Sequence, residues 1–202
     1  MPLSFGQPSE IQVDSISDYL TTAISNIPKF QELFGDSREA RVLDPIEIVT
    51  VGIDKAVKPD FLKYAQRDSW VYLIFPDAEA EMPVALVEMV EEEDRLRIRR
   101  ACAHDESVES IWKTYNKCKA VLGLRKEKFE VRILKVVFLR INAMWLHSSS
   151  ERFFILAPAF HGFVAGEEET QFVKRVNKIA AAATGAPEER NAKRRVTRKR
   201  PT

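Results

Sequence analysis

Glycine is scarce in this chain. There are seven in 202 residues, and none falls in a G-x-G-x-x-G or G-x-x-x-x-G-K-S/T pattern. Those patterns let backbone N–H groups close on phosphates, so nucleotide sites of these two types are excluded. Cysteine is scarcer still. Cys102 and Cys118 are too few for a disulfide framework. Long apolar runs are also missing. The best stretch, 133–146, is broken by Lys135, Arg140 and Asn142, well short of the roughly 18–20 residues a membrane span needs. The opening MPLSFGQPSE has no early Lys or Arg and no apolar core, so no signal peptide is expected. A cytoplasmic setting is the simplest expectation, or a nuclear one in a eukaryotic cell.

What is present is ordinary for a folded chain, 45% hydrophobic and 30% charged. The length suits one domain with a sizeable core. A net charge of +1 hides an asymmetry. From Ala186 onward seven cations face two acids, a net +5, which leaves −4 on the preceding 185 residues. The expected organisation is an irregular arm over 1–13, a globular body over 14–185 and a disordered basic tail over 186–202.

The stretch from Lys128 to Pro158 organises the body. It predicts three consecutive strands at 128–136, 138–147 and 152–157. In the middle one Leu139, Ile141, Ala143 and Trp145 share one face, and Phe138, Met144 and Leu146 the other. Side chains alternate across a strand, so a strand apolar on both faces is central and needs cover on both. Further strands are expected at 46–53, 69–75, 84–90 and 95–101, the last two as a hairpin.

Helices are expected from Asp14 or Ser15 to Pro28, over 59–67, from Asp105 or Ser107 to Leu122, and over 168–183. Val108, Ile111, Trp112, Tyr115, Cys118 and Leu122 form the stripe of the third, and Gly123 fits a left-handed stop. Phe172, Val176, Ile179 and Ala183 form the stripe of the last, with Gly185 ending it. The fold class that follows is α+β: a single domain with a mainly antiparallel sheet of about six or seven strands and helices packed on its faces.

Several residues are candidates for chemistry. Cys102 and His104 are two apart, with Asp105 adjacent, the spacing of a thiol–imidazole pair or half a metal site. Zinc takes three or four protein ligands, and no second Cys/His pair stands at ligand spacing, so no metal and no cofactor are expected. His147 adjoins Ser148, Ser149 and Ser150, and with Asp105 these would supply a Ser-His-Asp set. No G-x-S-x-G elbow precedes them, and a polar turn explains the serines. His161 stands in a P-A-F-H-G loop.

Arg95, Arg97 and Arg99 alternate onto one strand face. Together with Lys128 and Arg132 they would form a phosphate-contacting stripe if the two strands were neighbours. The competing expectation is that Glu88, Glu91 and Glu93 neutralise them by cross-strand pairing. Lys193, Arg194, Arg195, Arg198, Lys199 and Arg200 make a polybasic segment without an aromatic residue to stack on bases.

The leading functional expectation is a non-enzymatic domain that binds a protein partner through its body and makes anionic contacts through its tail. The first alternative is a nucleic-acid-associated protein using tail and arginine stripe together. The second is an enzyme with a site assembled around a histidine.

Overall fold

Strands that are apolar on both faces cannot stay in water on either, and helices supply the cover on both sides. The computed structural model of the chain describes residues 3–4, 16–22, 26, 28–34, 40–93, 95–123, 125, 127–156 and 166–185. In order the elements are β1 (Leu3–Ser4), α1 (16–22), α2 (Pro28–Phe34), β2 (Arg41–Val42), β3 (Ile46–Val51) and α3 (Ile53–Ala56). A 3-10 turn at Phe61–Tyr64 leads to β4 (Gln66–Phe75), β5 (Ala85–Glu92), β6 (Arg95–Ala103) and α4 (Glu106–Leu122). Then come β7 (Phe129–Val136), a 3-10 turn at Val137–Leu139, β8 (Ile141–His147), β9 (Arg152–Leu156), β10 (Glu167–Glu168) and α5 (Glu169–Thr184).

The ten strands among the described residues lie in one sheet, ordered β10-β9-β8-β7-β3-β4-β5-β6, with β1 beside β7 and β2 beside β4. The α+β class holds, but the sheet is larger than expected and mixed. The extra strands β1, β2 and β10 have two residues each, too short for any periodicity to announce. The pairings of β1 and β3 with β7 are parallel, and the others antiparallel.

Alternation sorts the core. Val71, Leu73 and Phe75 of β4, with Met144 and Leu146 of β8, join Val108, Tyr115, Cys118 and Leu122 of α4 on one face. On the other face, Ala143, Trp145, Phe154 and Leu156 meet Phe172, Val176 and Ala180 of α5, while Trp70, Tyr72 and Ile74 meet α1 and α2. Burial of each such large side chain contributes about 1.5–3 kcal/mol. In β3, Ile46 and Ile48 face α4 whereas Val49 and Val51 face α5. This is the plain alternation of a strand, and the register shift against β4 between Ile48 and Val49 leaves Asp68 as the extra residue of β4.

Some expectations are corrected. The segment 138–147 is not one strand. Val136 pairs with Ile141, so the chain reverses over 137–140, and Arg140 takes a left-handed φ of 53°. Phe138 is therefore 68% exposed instead of facing the core. A tight turn without glycine or proline leaves no trace in an apolar run. The helix expected over 59–67 shrinks to the Phe61–Tyr64 turn, because Gln66 and Arg67 are taken by ladder pairing with Thr50 and Val49. The strand expected to reach residue 53 stops at Val51, and Ile53 opens α3. Gly123 ends α4 with an ordinary helical φ of −54°, whereas Gly185 takes the left-handed φ of 65° expected of it. In α5 the buried stripe is Phe172, Val176 and Ala180, and Ala183 is exposed.

The expected segments 1–13 and 186–202 fall, apart from Leu3 and Ser4, outside the described residues. Among the described residues no helix is long and apolar enough to cross a membrane.

Candidate ligand-binding cleft

A cleft arises beneath the first half of α4, where short polar side chains stand beside its apolar stripe. Its second half brings Tyr115, Cys118 and Leu122, all buried, onto the sheet. In its first half Ser107, Ser110 and Thr114 line the space beside Val108 and Ile111, and their short side chains do not fill it. The result is a cleft of about 370 Å³ between the helix and the sheet. Ile48, Val71, Leu86, Ile133 and Met144 form its apolar floor, and Glu88, Arg100, Lys135 and Asn142 its polar side.

The register of the strands puts those polar groups together. Arg100 of β6 lies directly across from Glu88 of β5, and Asn142 of β8 directly across from Lys135 of β7. Glu88 interrupts the apolar run from Val84 to Val90, and its side chain is only 9% exposed. A carboxylate so withdrawn from water needs partners. The hydroxyl of Ser69, itself fully buried, donates to Glu88 Oε1 at 2.7 Å. Arg99 lies 3.4 Å and Lys135 Nζ 3.6 Å from the same oxygen. Among the described residues Oε2 accepts no hydrogen bond, and the Lys135 ammonium donates none.

The remaining charges are paired off. Arg99 is held by Asp68 at 2.6 Å, and that hydrogen bond raises its guanidinium pKa above the ordinary value. Arg100 donates to Asp105 Oδ2 at 3.3 Å and to the Ser107 hydroxyl at 3.0 Å. Asp105 caps α4 by accepting the Ser107 N–H at 2.7 Å. Hydrogen bonds from the Ser107 hydroxyl and N–H hold its carboxyl below the usual carboxylate range.

The arginine row is not extended by β7. Strand β7 is not a neighbour of β6, since β3, β4 and β5 lie between them. Lys128 and Arg132 therefore do not extend the Arg95/Arg97/Arg99 row. The pairing shifts register between Glu88 and Met89, which leaves Arg99 as the extra residue between Ile98 and Arg100. Arg97 lies 3.6 Å from Glu92. The side chain of Arg95 is outside the described residues, as are His161 and the basic residues Lys193, Arg194, Arg195, Arg198, Lys199 and Arg200.

The other histidines stand apart from this cleft. His104 is exposed at the β6–α4 turn with a left-handed φ of 49°. Cys102 is half-buried and its nearest polar contact is the Ser107 hydroxyl at 3.9 Å, so no Cys102–His104 hydrogen bond forms among the described residues. His147 lines a second cleft of about 360 Å³ with Arg132, Trp145 and Arg152. Its serine neighbours turn elsewhere. Ser149 and Ser150 donate to the Glu127 carboxylate at 2.7 and 2.8 Å, and Ser148 donates to the Glu151 carbonyl. With Asp105 committed to the α4 cap, the Ser-His-Asp set is not assembled. Among the described residues no group of three or more His, Cys, Asp or Glu is placed to hold a metal ion.

Sequence reasoning used Glu88 only as a neutralising partner and passed over Ser69, Lys135 and Asn142 as site residues. The available signal was a single acid inside the strand run VALVEMV. Comparison with known proteins found no family model, no curated protein and no solved structure that matches this chain.

Proposed function

We propose that this chain is a binding domain whose body takes a small organic ligand in the cleft beneath α4. The observation that supports this reading is a nearly buried carboxylate with one oxygen that accepts no hydrogen bond among the described residues, on the wall of an apolar-floored cleft. Small-molecule sites are typically concave and mainly apolar, with a few placed polar groups that fix orientation.

Ser110→Phe puts a ring into the cleft from α4, where Ser110 is half-buried. A panel of small amphipathic molecules is screened by thermal shift on the native chain and on this variant. The expected result is a set of molecules that raise the native Tm and leave the variant unmoved. A ligand at a hundredfold its Kd adds about 2.7 kcal/mol of stability. Equal shifts in both proteins would place binding elsewhere and overturn the reading.

A second reading concerns the polybasic run at 193–200, whose composition favours contacts with polyanions. Binding of a DNA duplex by the full chain is expected to weaken steeply with salt, with a log–log slope of about −0.9 per phosphate contact. The same assay on residues 1–185 is expected to show that binding lost. Retained binding would move attention to Arg97 and its neighbours. The protein-partner role expected of the body has a concrete place to be tested in Val137 and Phe138, adjacent and 65% and 68% exposed at the β7–β8 turn.

A further inference from the structure

We propose that the ligand of this cleft is a small zwitterion: an α-amino acid with an apolar side chain. This inference rests on the cleft reading above and names the chemistry it selects. The wall presents opposite charges side by side, with Lys135 Nζ 3.6 Å from Glu88 Oε1. That separation is beyond hydrogen-bond length, so the two groups attract without using up each other's bonding capacity. Among the described residues Glu88 keeps Oε2 as an acceptor, and Lys135 keeps its ammonium donors.

The neighbouring charges cancel. Arg99 is engaged by Asp68 and Arg100 by Asp105, so the cleft offers no surplus charge of either sign. A simple carboxylic acid would bring its anion against Glu88. A simple amine would bring its cation against Lys135. An α-amino acid carries both ends on one carbon, close enough to meet both groups at once. Its ammonium donates to Glu88 Oε2, and its carboxylate accepts from Lys135. Both contacts are charge-assisted hydrogen bonds, the stronger kind.

The rest of the cleft suits the rest of such a molecule. Ile48, Val71, Ile133 and Met144 offer an apolar surface for a branched or aromatic side chain. The Thr114 hydroxyl donates to the Ser110 carbonyl at 2.7 Å, so its proton is already used and does not compete with Lys135 for the ligand's carboxylate. A volume of about 370 Å³ is at the small end of ligand sites, which favours a single amino acid over a peptide.

The test measures affinity by titration calorimetry for leucine, phenylalanine, leucinamide and N-acetyl-leucine. Leucinamide lacks the carboxylate and N-acetyl-leucine lacks the ammonium. The expected result is binding of the free amino acids, weakened at least about tenfold by blocking either end, the worth of one charged hydrogen bond. Lys135→Met is expected to weaken leucine by a similar factor while leaving leucinamide unchanged. Glu88→Gln keeps the side chain's shape and is expected to weaken leucine but not N-acetyl-leucine.

If the blocked molecules bind as well as leucine, the zwitterion inference is overturned while the cleft stands. The same holds if amino acids fail but a neutral apolar probe such as indole binds and Ser110→Phe abolishes it. If neither amino acids nor indole bind, both readings fail. Circular dichroism and Tm of the two substituted chains show whether a lost affinity is merely a lost fold.

Discussion

Phe172→Ala is expected to cost about 3–5 kcal/mol of folding stability, the range for removing a buried aromatic ring. Phe172 is wholly inaccessible to water and lies flat on Phe154, ring centroids 3.9 Å apart and planes 3° from parallel. Its ring centroid also lies 6.5 Å from that of Phe61. It is thus the joint at which α5, β9 and the Phe61–Tyr64 turn meet. Only three residues of α5 are buried, Phe172, Val176 and Ala180, and the last is small, so losing the ring takes away much of what anchors the helix. The rings on both sides belong to different elements and cannot collapse together without moving them, which places the effect toward the upper end. Urea denaturation of native and variant chains measures it, and a domain of this size loses about 2–4 °C of Tm per kcal/mol. A cost below about 1 kcal/mol would mean that α5 does not depend on this contact. Phe172→Leu, which keeps most of the volume, is expected to cost far less.

The second large effect is a loss of stability in alkali, centred on Cys118. Its thiol is fully inaccessible in the α4 cluster, and burial pushes its pKa up to about 12. In the unfolded chain the same thiol ionises near pH 8.5. Between those values the folded protein keeps a proton that the unfolded chain releases. The stabilisation is therefore complete below about pH 8.5 and is lost as pH rises toward the folded value. By pH 10 the loss from this one group is on the order of 2 kcal/mol. Tyr115, pushed up to about 12 mainly by burial, adds to the decline in the same direction at higher pH.

Urea midpoints at neutral pH and at pH about 10, for the native chain and for Cys118→Ala, separate this from general alkaline effects. The variant starts less stable, because it leaves a small cavity, but its stability should fall less with pH. Parallel declines in the two proteins would mean that Cys118 is not shielded as described.

Much of the body was legible in the sequence. Alternation in 69–75 and 141–147 forced two covered faces, and the 3.6-residue spacing of Val108, Tyr115, Cys118 and Leu122 named the helix that covers one of them. Asp105 was visible as a cap because the chemistry of an N-cap is local. The reversal at 137–140 was not legible. Its left-handed residue is Arg140, and only glycine, asparagine or aspartate commonly advertise that conformation.

The cleft divides along the same line. The sequence by itself determined that Glu88 sits in an apolar run, and that Ser107, Ser110 and Thr114 stand next to the apolar stripe of α4. What joins them was decided only by tertiary structure. Strand β7 pairs with β3 and not with β6, which keeps Lys128 and Arg132 apart from the Arg95/Arg97/Arg99 row, and Lys135 reaches across the sheet to Glu88. Bulges at Ile48/Val49 and Glu88/Met89 reset which side chains share a face. Periodicity reports how each element is buried. The order of strands is set by which distant faces pack best once loop closure is met, and no local spacing records it.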